Sequence, residues 1–379
     1  MAIQGMSKLL RTSNYGMIKR NPWSSYRALS GESAGIQFSK GSGGRSSTTG
    51  IVAAVFGSTG FLGRHVVHQL GRHGTQVVGA WRGDSKDGRD LKVMGDLGQI
   101  ALMEMSIRDK ESVVDICKHA NVIINLVGKH YDTWNFTVEQ STIESATVLS
   151  EVAKELGINH FIQMSMANAS KDSESGQLRA KVEAEEIVRA NVPTSTIVKA
   201  TDIFGLNDRF FYRIMQMFSW MIYYPFVNDG KNLVQPVHVV DVADAIGQVT
   251  RDYERFAGKT LSLAGPDVLT EKEVTEWAVD YVGGMYRFNP AFVSPRIARL
   301  LQLPFAKALF LVNPQPVLGK YDVPESMRNN VLGTPGPDEL TFDDLGIMPH
   351  KVDSVVGRES LALWMNEKIL RGSLVERKD

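Results

Sequence analysis

A single cysteine, Cys117, stands among 379 residues. An intrachain disulfide therefore cannot form, and the chain alone cannot build a Cys-based zinc site or an iron–sulfur cluster. The setting "VVDICKHA" (113–120) reads as a buried helix position, where a thiol packs as a small hydrophobe. No window holds 18 uninterrupted apolar residues, so a membrane-spanning helix is not expected. Net charge is lacking too, with 42 basic and 42 acidic side chains. A nucleic-acid backbone needs a clustered basic face, and none is legible, so no nucleic-acid partner is expected. What remains is 43% apolar and 22% charged, the composition of an ordinary globular chain with a core.

Acid is almost missing from the first fifty residues. They carry seven Lys or Arg against one acid, Glu32, together with ten Ser and eight Gly. Basic, Ser-rich and acid-poor is the composition of a transit peptide. "MSKLLRTSNYGMIKR" (6–20) sets Met6, Leu9, Leu10 and Met17 on one helical side and cations on the other, which suits mitochondrial import. "GSGGRSSTTG" (41–50) cannot pack and reads as linker. Residues 1–49 are thus expected to be a mitochondrial transit segment and linker.

From Ile51 short apolar runs alternate with helical patterns. Strands are expected at 51–56, 75–81, 101–105, 121–127, 160–166 and 194–200, and helices at 60–74, 109–120 and 142–157. Apolar strands separated by helices predict an α/β fold, a doubly wound parallel sheet of Rossmann type covered on both faces. Residues 50–205 are expected to form this Rossmann domain and 206–379 a smaller C-terminal α/β region. Strands near 234–240 and 259–264 are the ones able to return to the main sheet.

"VFGSTGFLGRH" (55–65) spaces Gly57, Gly60 and Gly63 as G-x-x-G-x-x-G between a strand and a helix. Gly57 permits the tight turn, Gly60 lets backbone approach a pyrophosphate, and Gly63 allows close helix–strand packing. Ser58, Thr59, Phe61 and Leu62 complete the loop, and the helix start offers free N–H groups to phosphate. The second strand ends in "GAWRG" (79–83), with Arg82 where an NAD site would place a carboxylate. A guanidinium suits a 2′-phosphate, so NADP(H) is expected rather than NAD(H). No metal-ligand set is read from the sequence.

The glycine form, "NLVG" (125–128), Ser165, Lys181 and "QPVHVVDVADAI" (235–246) resemble the extended and atypical short-chain dehydrogenase/reductase superfamily over about residues 50–265. The resemblance implies nucleotide contacts from Ser106, Ile107, Leu126, Val127, Gly128, Ser165, Lys181 and Ala200, in addition to the loop and Arg82. It also exposes another absence. Relatives use a Tyr-x-x-x-Lys pair for proton transfer, and "SGQLRAKVEAEE" (175–186) keeps Lys181 but carries Gln177 in the Tyr position. An amide has no usable acid–base pKa at neutral pH. Tyr131, Tyr223 and Tyr224 are not followed by a Lys four residues on. Ser165, Gln177 and Lys181 are therefore read as a vestigial trio, and no catalysis of the chain's own is expected.

"VMGDLGQI" (93–100), "RDKESV" (108–113), "VIINLVGKHYDTWNF" (122–136), "ATDIFGLNDRF" (200–210) and "TFDDLGIMPHKVD" (341–353) are closer still to the NADPH-binding accessory subunits of mitochondrial complex I, NADH:ubiquinone oxidoreductase. That resemblance implies a tightly held structural NADPH, other complex I subunits as partners, and a peripheral place on the matrix side of the inner membrane. Two other readings stay open, an active NADP-dependent short-chain reductase or epimerase and a soluble NADPH-sensing partner protein. "RFFYRIMQMFSWMIYYPFV" (209–227) is apolar but for a narrow stripe of Arg209, Arg213, Gln216 and Ser219. Its wide face of Phe211, Ile214, Met215, Phe218, Met221 and Ile222 fits a core helix or an interfacial helix on lipid or a membrane subunit.

Overall fold

Consecutive Val, Ile, Ala and Phe fill the strands after Ile51 because each strand is covered on both faces. The computed structural model describes residues 49–83, 88–133, 135–220, 224–282, 290–293, 329–333, 336 and 339–361; the expected targeting segment lies outside them.

Six strands follow in chain order: β1 (Val52–Phe56), β2 (Gln76–Trp81), β3 (Ile100–Glu104), β4 (Val122–Asn125), β5 (His160–Met166) and β6 (Thr196–Ala200). Helices α1 (Phe61–Arg72), α2 (Arg89–Lys92), α3 (Lys110–Cys117), α4 (Val138–Leu156) and α5 (Gly176–Asn191) connect them. After β6 come β7 (Ile203–Phe204), α6 (Phe210–Trp220), β8 (Tyr224–Val227), β9 (Leu233–Val234), β10 (Val237–His238), α7 (Val239–Arg251) and α8 (Tyr253–Phe256). The remaining elements are β11 (Thr260–Leu263), β12 (Leu269–Thr270), α9 (Glu271–Val282), β13 (Pro290–Val293), β14 (Glu339–Leu340) and α10 (Phe342–Leu345).

Eight strands make one sheet in the order β14-β11-β6-β5-β4-β1-β2-β3. Every pairing in it is parallel, so the doubly wound parallel sheet expected from the alternation is present. Helices α3, α4 and α5 pack on one another along one face, and α1 packs on α7. The strand order reverses between β1 and β4, and the crevice at the carboxyl ends of these two strands is the place such sheets offer to a ligand. The main core includes Val55, Val66, Leu70, Ile124, Ile162, Val198, Ile246 and Leu263. Cys117 is fully buried among such groups and burial pushes its thiol up to about 12, consistent with a packing role.

A second apolar cluster joins Phe204, Phe211, Ile214, Met215 and Phe226 to Val274, Ala278 and Val279 of α9. Phe211 also meets the Trp277 ring at 5.8 Å. Three residues of the face suited to lipid are thus buried in the chain's own second apolar cluster. Arg213, on the polar stripe, exerts its charge on Asp202 and Glu271, whose carboxyls are pushed up first of all by burial. The side chain of Phe218, and residues Met221 and Ile222, lie outside the described part. Among the described residues no helix is long and apolar enough to cross a membrane.

Candidate functional site

The loop from β1 to α1 is a backbone cradle that only small residues can line. Gly57 has φ +82°, and a Cβ there would lie 2.9 Å from the Leu126 carbonyl oxygen across the switch point. Gly63 is tighter, since its Cβ would meet the Gly57 carbonyl oxygen at 2.1 Å and Ser58 Cα at 2.8 Å. Gly60 is the N-cap of α1, with no side chain bonded over the helix start, so the positive end of the helix faces the cradle uncapped. Its N–H closes the turn on the Gly57 carbonyl at 3.0 Å. Buried Ser58 donates to the Ala80 carbonyl at 2.8 Å and ties the loop to β2, while Arg64 Nε donates to the Thr59 carbonyl at 3.2 Å. Phe61 and Leu62 form the half-buried first turn of α1.

The other expected contacts gather at the same sheet edge. Leu126 donates its N–H to the Phe56 carbonyl at 3.0 Å, which extends the β1–β4 pairing beyond the last paired residues. Val127 N–H is held by Asn125 Oδ1 at 3.1 Å, and Asn125 Nδ2 donates to Gln163 Oε1 at 2.9 Å. This buried amide pair fixes the "NLVG" backbone, and sequence inspection missed it because both amides sit inside apolar strands. Ser106 and Ile107 form the turn from β3 into α3, where the Ser106 carbonyl accepts from Asp109 N–H at 3.0 Å. Ala200 ends β6 fully buried, its carbonyl accepting from Ala167 N–H at 2.9 Å.

Cations collect beyond the ends of β2, β3 and β4. The Arg82 and Arg108 guanidinium carbons lie 5.9 Å and 3.9 Å from the Phe136 ring centroid. Lys129 follows "NLVG", and its pKa is lowered first by burial and then by the charge of Arg82. Two like charges near one another are relieved by an anion, so Arg82 and Lys129 together offer an anion a place beyond the strand ends. Arg108 and Lys129 were not found from the sequence, because their convergence depends on three separate strand ends.

Around the would-be catalytic pair, Lys181 Nζ donates to the Met164 carbonyl at 3.3 Å. It also faces Gly128, whose Cβ would stand 3.8 Å from it. The ammonium is buried, and that burial, opposed by Glu185, brings its pKa down to about 8. Buried Gln177 donates from Nε2 to Met166 Sδ at 3.7 Å, and its Oε1 meets no hydrogen-bond partner. Ser165 Oγ donates to Glu185, which also pairs with Lys199 at 3.5 Å. Ser165, Gln177 and Lys181 are therefore grouped at the ends of β5 and α5. Glu185, the acid that binds Ser165, was missed although it lies one helical turn after Lys181.

An eight-stranded parallel sheet in this order, with a glycine cradle at its switch point, defines a doubly wound fold of Rossmann type. The dTDP-glucose 4,6-dehydratase of Bacillus anthracis, solved in complex with NAD, shares that fold with a TM-score of 0.59 at 14% identity, covering 84% of this chain and 98% of that one. The NmrA-like family matches residues 50–370. Mitochondrial NADH dehydrogenase (ubiquinone) 1 alpha subcomplex subunit 9 of Arabidopsis thaliana is 40% identical over 329 residues, 83% of this chain and 78% of the relative. The protein of the same name from Mus musculus is 36% identical over 341 residues, 87% of this chain and 86% of the relative. The chain belongs to the NmrA-like family and to the family of these mitochondrial alpha subcomplex subunit 9 proteins.

Proposed function

We propose that this chain is an NADPH-binding accessory subunit of mitochondrial respiratory complex I that performs no redox step of its own. It would sit peripherally on the matrix side of the inner membrane, supporting assembly or stability with other complex I subunits as partners. The relatives that share its family are named as mitochondrial NADH dehydrogenase subunits, which supports the complex. The observation that carries the non-catalytic reading is a complete glycine cradle beside a buried Gln177 in the Tyr position.

The cradle Gly57–Gly63 would hold the pyrophosphate at the start of α1, Arg82 with Lys129 the 2′-phosphate, and Lys181 the nicotinamide ribose. Bound NADPH would supply a hydride. The Gln177 amide has no proton to release to a substrate oxygen at neutral pH, and loss of such proton transfer removes about 10²–10⁴ in rate. Ligand bound only by the folded state stabilises it by about 2.7 kcal/mol at a hundredfold excess over Kd, enough to make a nucleotide a structural part. Blue-native electrophoresis of mitochondria, probed for this chain, tests the assignment. Comigration with the megadalton NADH dehydrogenase is expected; a free monomer alone would refute it.

A second reading, an NADP-dependent reductase or epimerase, draws on buried Lys181 and Ser165 still standing together. The purified chain with NADPH is expected to reduce no carbonyl of a broad substrate panel above background, and Gln177→Tyr to add at most slight activity. Robust turnover by the unaltered chain would replace the structural reading by this one.

A further inference from the structure

Two segments marked out in the sequence, "QPVHVVDVADAI" and "TFDDLGIMPHKVD", supply none of the expected nucleotide contacts, and the fold brings them together. His238 is the N-cap of α7, Asp241 lies in its first turn, and His350 follows α10. One ligand atom from each of the three residues lies within 4.8 Å of the other two. His350 Nδ1 is 2.6 Å from Asp241 Oδ1, and His350 N–H donates to Asp241 Oδ2 at 2.7 Å. The His238 and His350 rings stand 5.4 Å apart, edge to face.

A hydrogen-bonded His350–Asp241 pair accounts for two of these residues but not for the third. His238 is 4% exposed, and its Nδ1 is buried with no hydrogen-bond partner. A buried polar nitrogen without a partner needs an explanation. Phe204, at 5.1 Å between ring centroids, offers it no hydrogen bond. We propose that His238, Asp241 and His350 form a divalent transition-metal site that takes zinc and staples the segment carrying His350 to the start of α7.

The donor set fits the ion. Two imidazoles and a carboxylate are a zinc set, with a fourth position left for water. The His350 side chain is 44% exposed, so solvent reaches that position. Metal–ligand bonds of about 2 Å place tetrahedral neighbours about 3.3 Å apart, so the three ligand atoms, now within 4.8 Å of one another, must draw towards the ion while His350 swings outward from Asp241. Its exposure permits that movement, and the His350 N–H to Asp241 Oδ2 bond would persist as the outer contact that orients the carboxylate.

The test uses the full chain, purified without a histidine tag and stripped by a chelator. Zinc is titrated against a chromogenic competitor, and cobalt is added separately to read the visible d–d bands of a low-coordinate site. One equivalent of zinc per chain is expected, with loss of more than about 100-fold in affinity on His350→Ala or Asp241→Asn, while NADPH binding and the far-ultraviolet spectrum stay unchanged. Should either variant fail to fold, the unaltered chain decides: zinc should shield His350 from acylation by diethyl pyrocarbonate, read by mass spectrometry. Binding well below one equivalent, variants that keep wild-type affinity, or a His350 acylated equally with and without zinc would overturn the site.

Discussion

Replacing Lys181 by Met separates what this lysine does for stability from what it does for nucleotide binding. Its ammonium is 8% exposed, and burial lowers its pKa from 10.5 to about 8. A depression of that size corresponds to about 3 kcal/mol of folding free energy forgone while the group is charged in both states. Met fills a similar volume without a charge, but removes the hydrogen bond to the Met164 carbonyl, which contributes about 1 kcal/mol. The nucleotide-free Lys181→Met chain is therefore expected to be about 2 kcal/mol more stable than the unaltered one near pH 7. The folded pKa lies below the unfolded one, so below pH 8 both states hold the proton and the full penalty is present. Between pH 8 and about 10.5 the unfolded chain binds more protons, and stability of the unaltered chain rises with pH. The advantage of Lys181→Met should then fade and, with the hydrogen bond missing, reverse by pH 10.5. Urea denaturation of both chains at half-unit pH steps measures it. NADPH affinity should fall by about 10- to 100-fold, as for a lost hydrogen bond to a charged group. A stability difference that is constant from pH 7 to 10.5 would refute the buried-ammonium argument.

Gly63→Ala, which in an ordinary helix stabilises by about 1 kcal/mol, should here depress the melting temperature and abolish measurable NADPH fluorescence enhancement. The reason is that its Cβ meets the Gly57 carbonyl oxygen at 2.1 Å; normal nucleotide binding would show that the cradle is not used. Arg82→Ala should weaken NADPH by about tenfold or more, as for one charge-assisted bond, and NADH far less. Equal losses in parallel titrations would remove Arg82 from the 2′-phosphate. Met215→Glu, a carboxylate at a fully buried position in the α6–α9 cluster, should cost several kcal/mol and eliminate the cooperative thermal transition. A folded variant that merely loses affinity for cardiolipin liposomes would return this face to the membrane.

Period and punctuation made the sheet legible. Strand β5 falls at 160–166 as expected and β1, β2, β3 and β6 within two residues, because apolar runs bounded by Gly, Asn or Thr allow little slack. Helix α4 begins four residues before its expected start at 142, since Thr137 and Gln140 form a reciprocal capping box, a T-x-x-Q pattern printed in the sequence but overlooked. The glycine cradle was legible because three small residues at fixed spacing have one common cause. The Asn125–Gln163 pair, the Ser165–Glu185 bond and the Arg82–Lys129–Arg108 cluster were not, because each joins residues from different strands or helices. His238 and His350 are 112 residues apart, with no local spacing to betray them. Hydrophobicity could not say what covers the helix at 210–220, because an amphipathic stripe specifies that a face is buried and leaves open against what.

The nucleotide cradle and the region after β6 are mechanically one piece. A Cβ at Gly205 would meet Val239 Cγ1 at 2.5 Å and the Phe61 ring at 3.5 Å, so the turn after β7, the start of α7 and the first turn of α1 are in direct contact. Asp208 locks that turn by accepting N–H bonds from Gly205, Phe211 and Tyr212 at 3.1–3.3 Å. Its burial pushes the carboxyl up to about 7 against those three donors. Any ligand that orders the first turn of α1 therefore bears on α6 through Asp208 and on α7 through Val239. A nucleotide bound only by the folded chain would stabilise these elements together with the rest of the fold, without moving a proton or a hydride. This gives a physical reason for the three glycines to stand beside a buried Gln177.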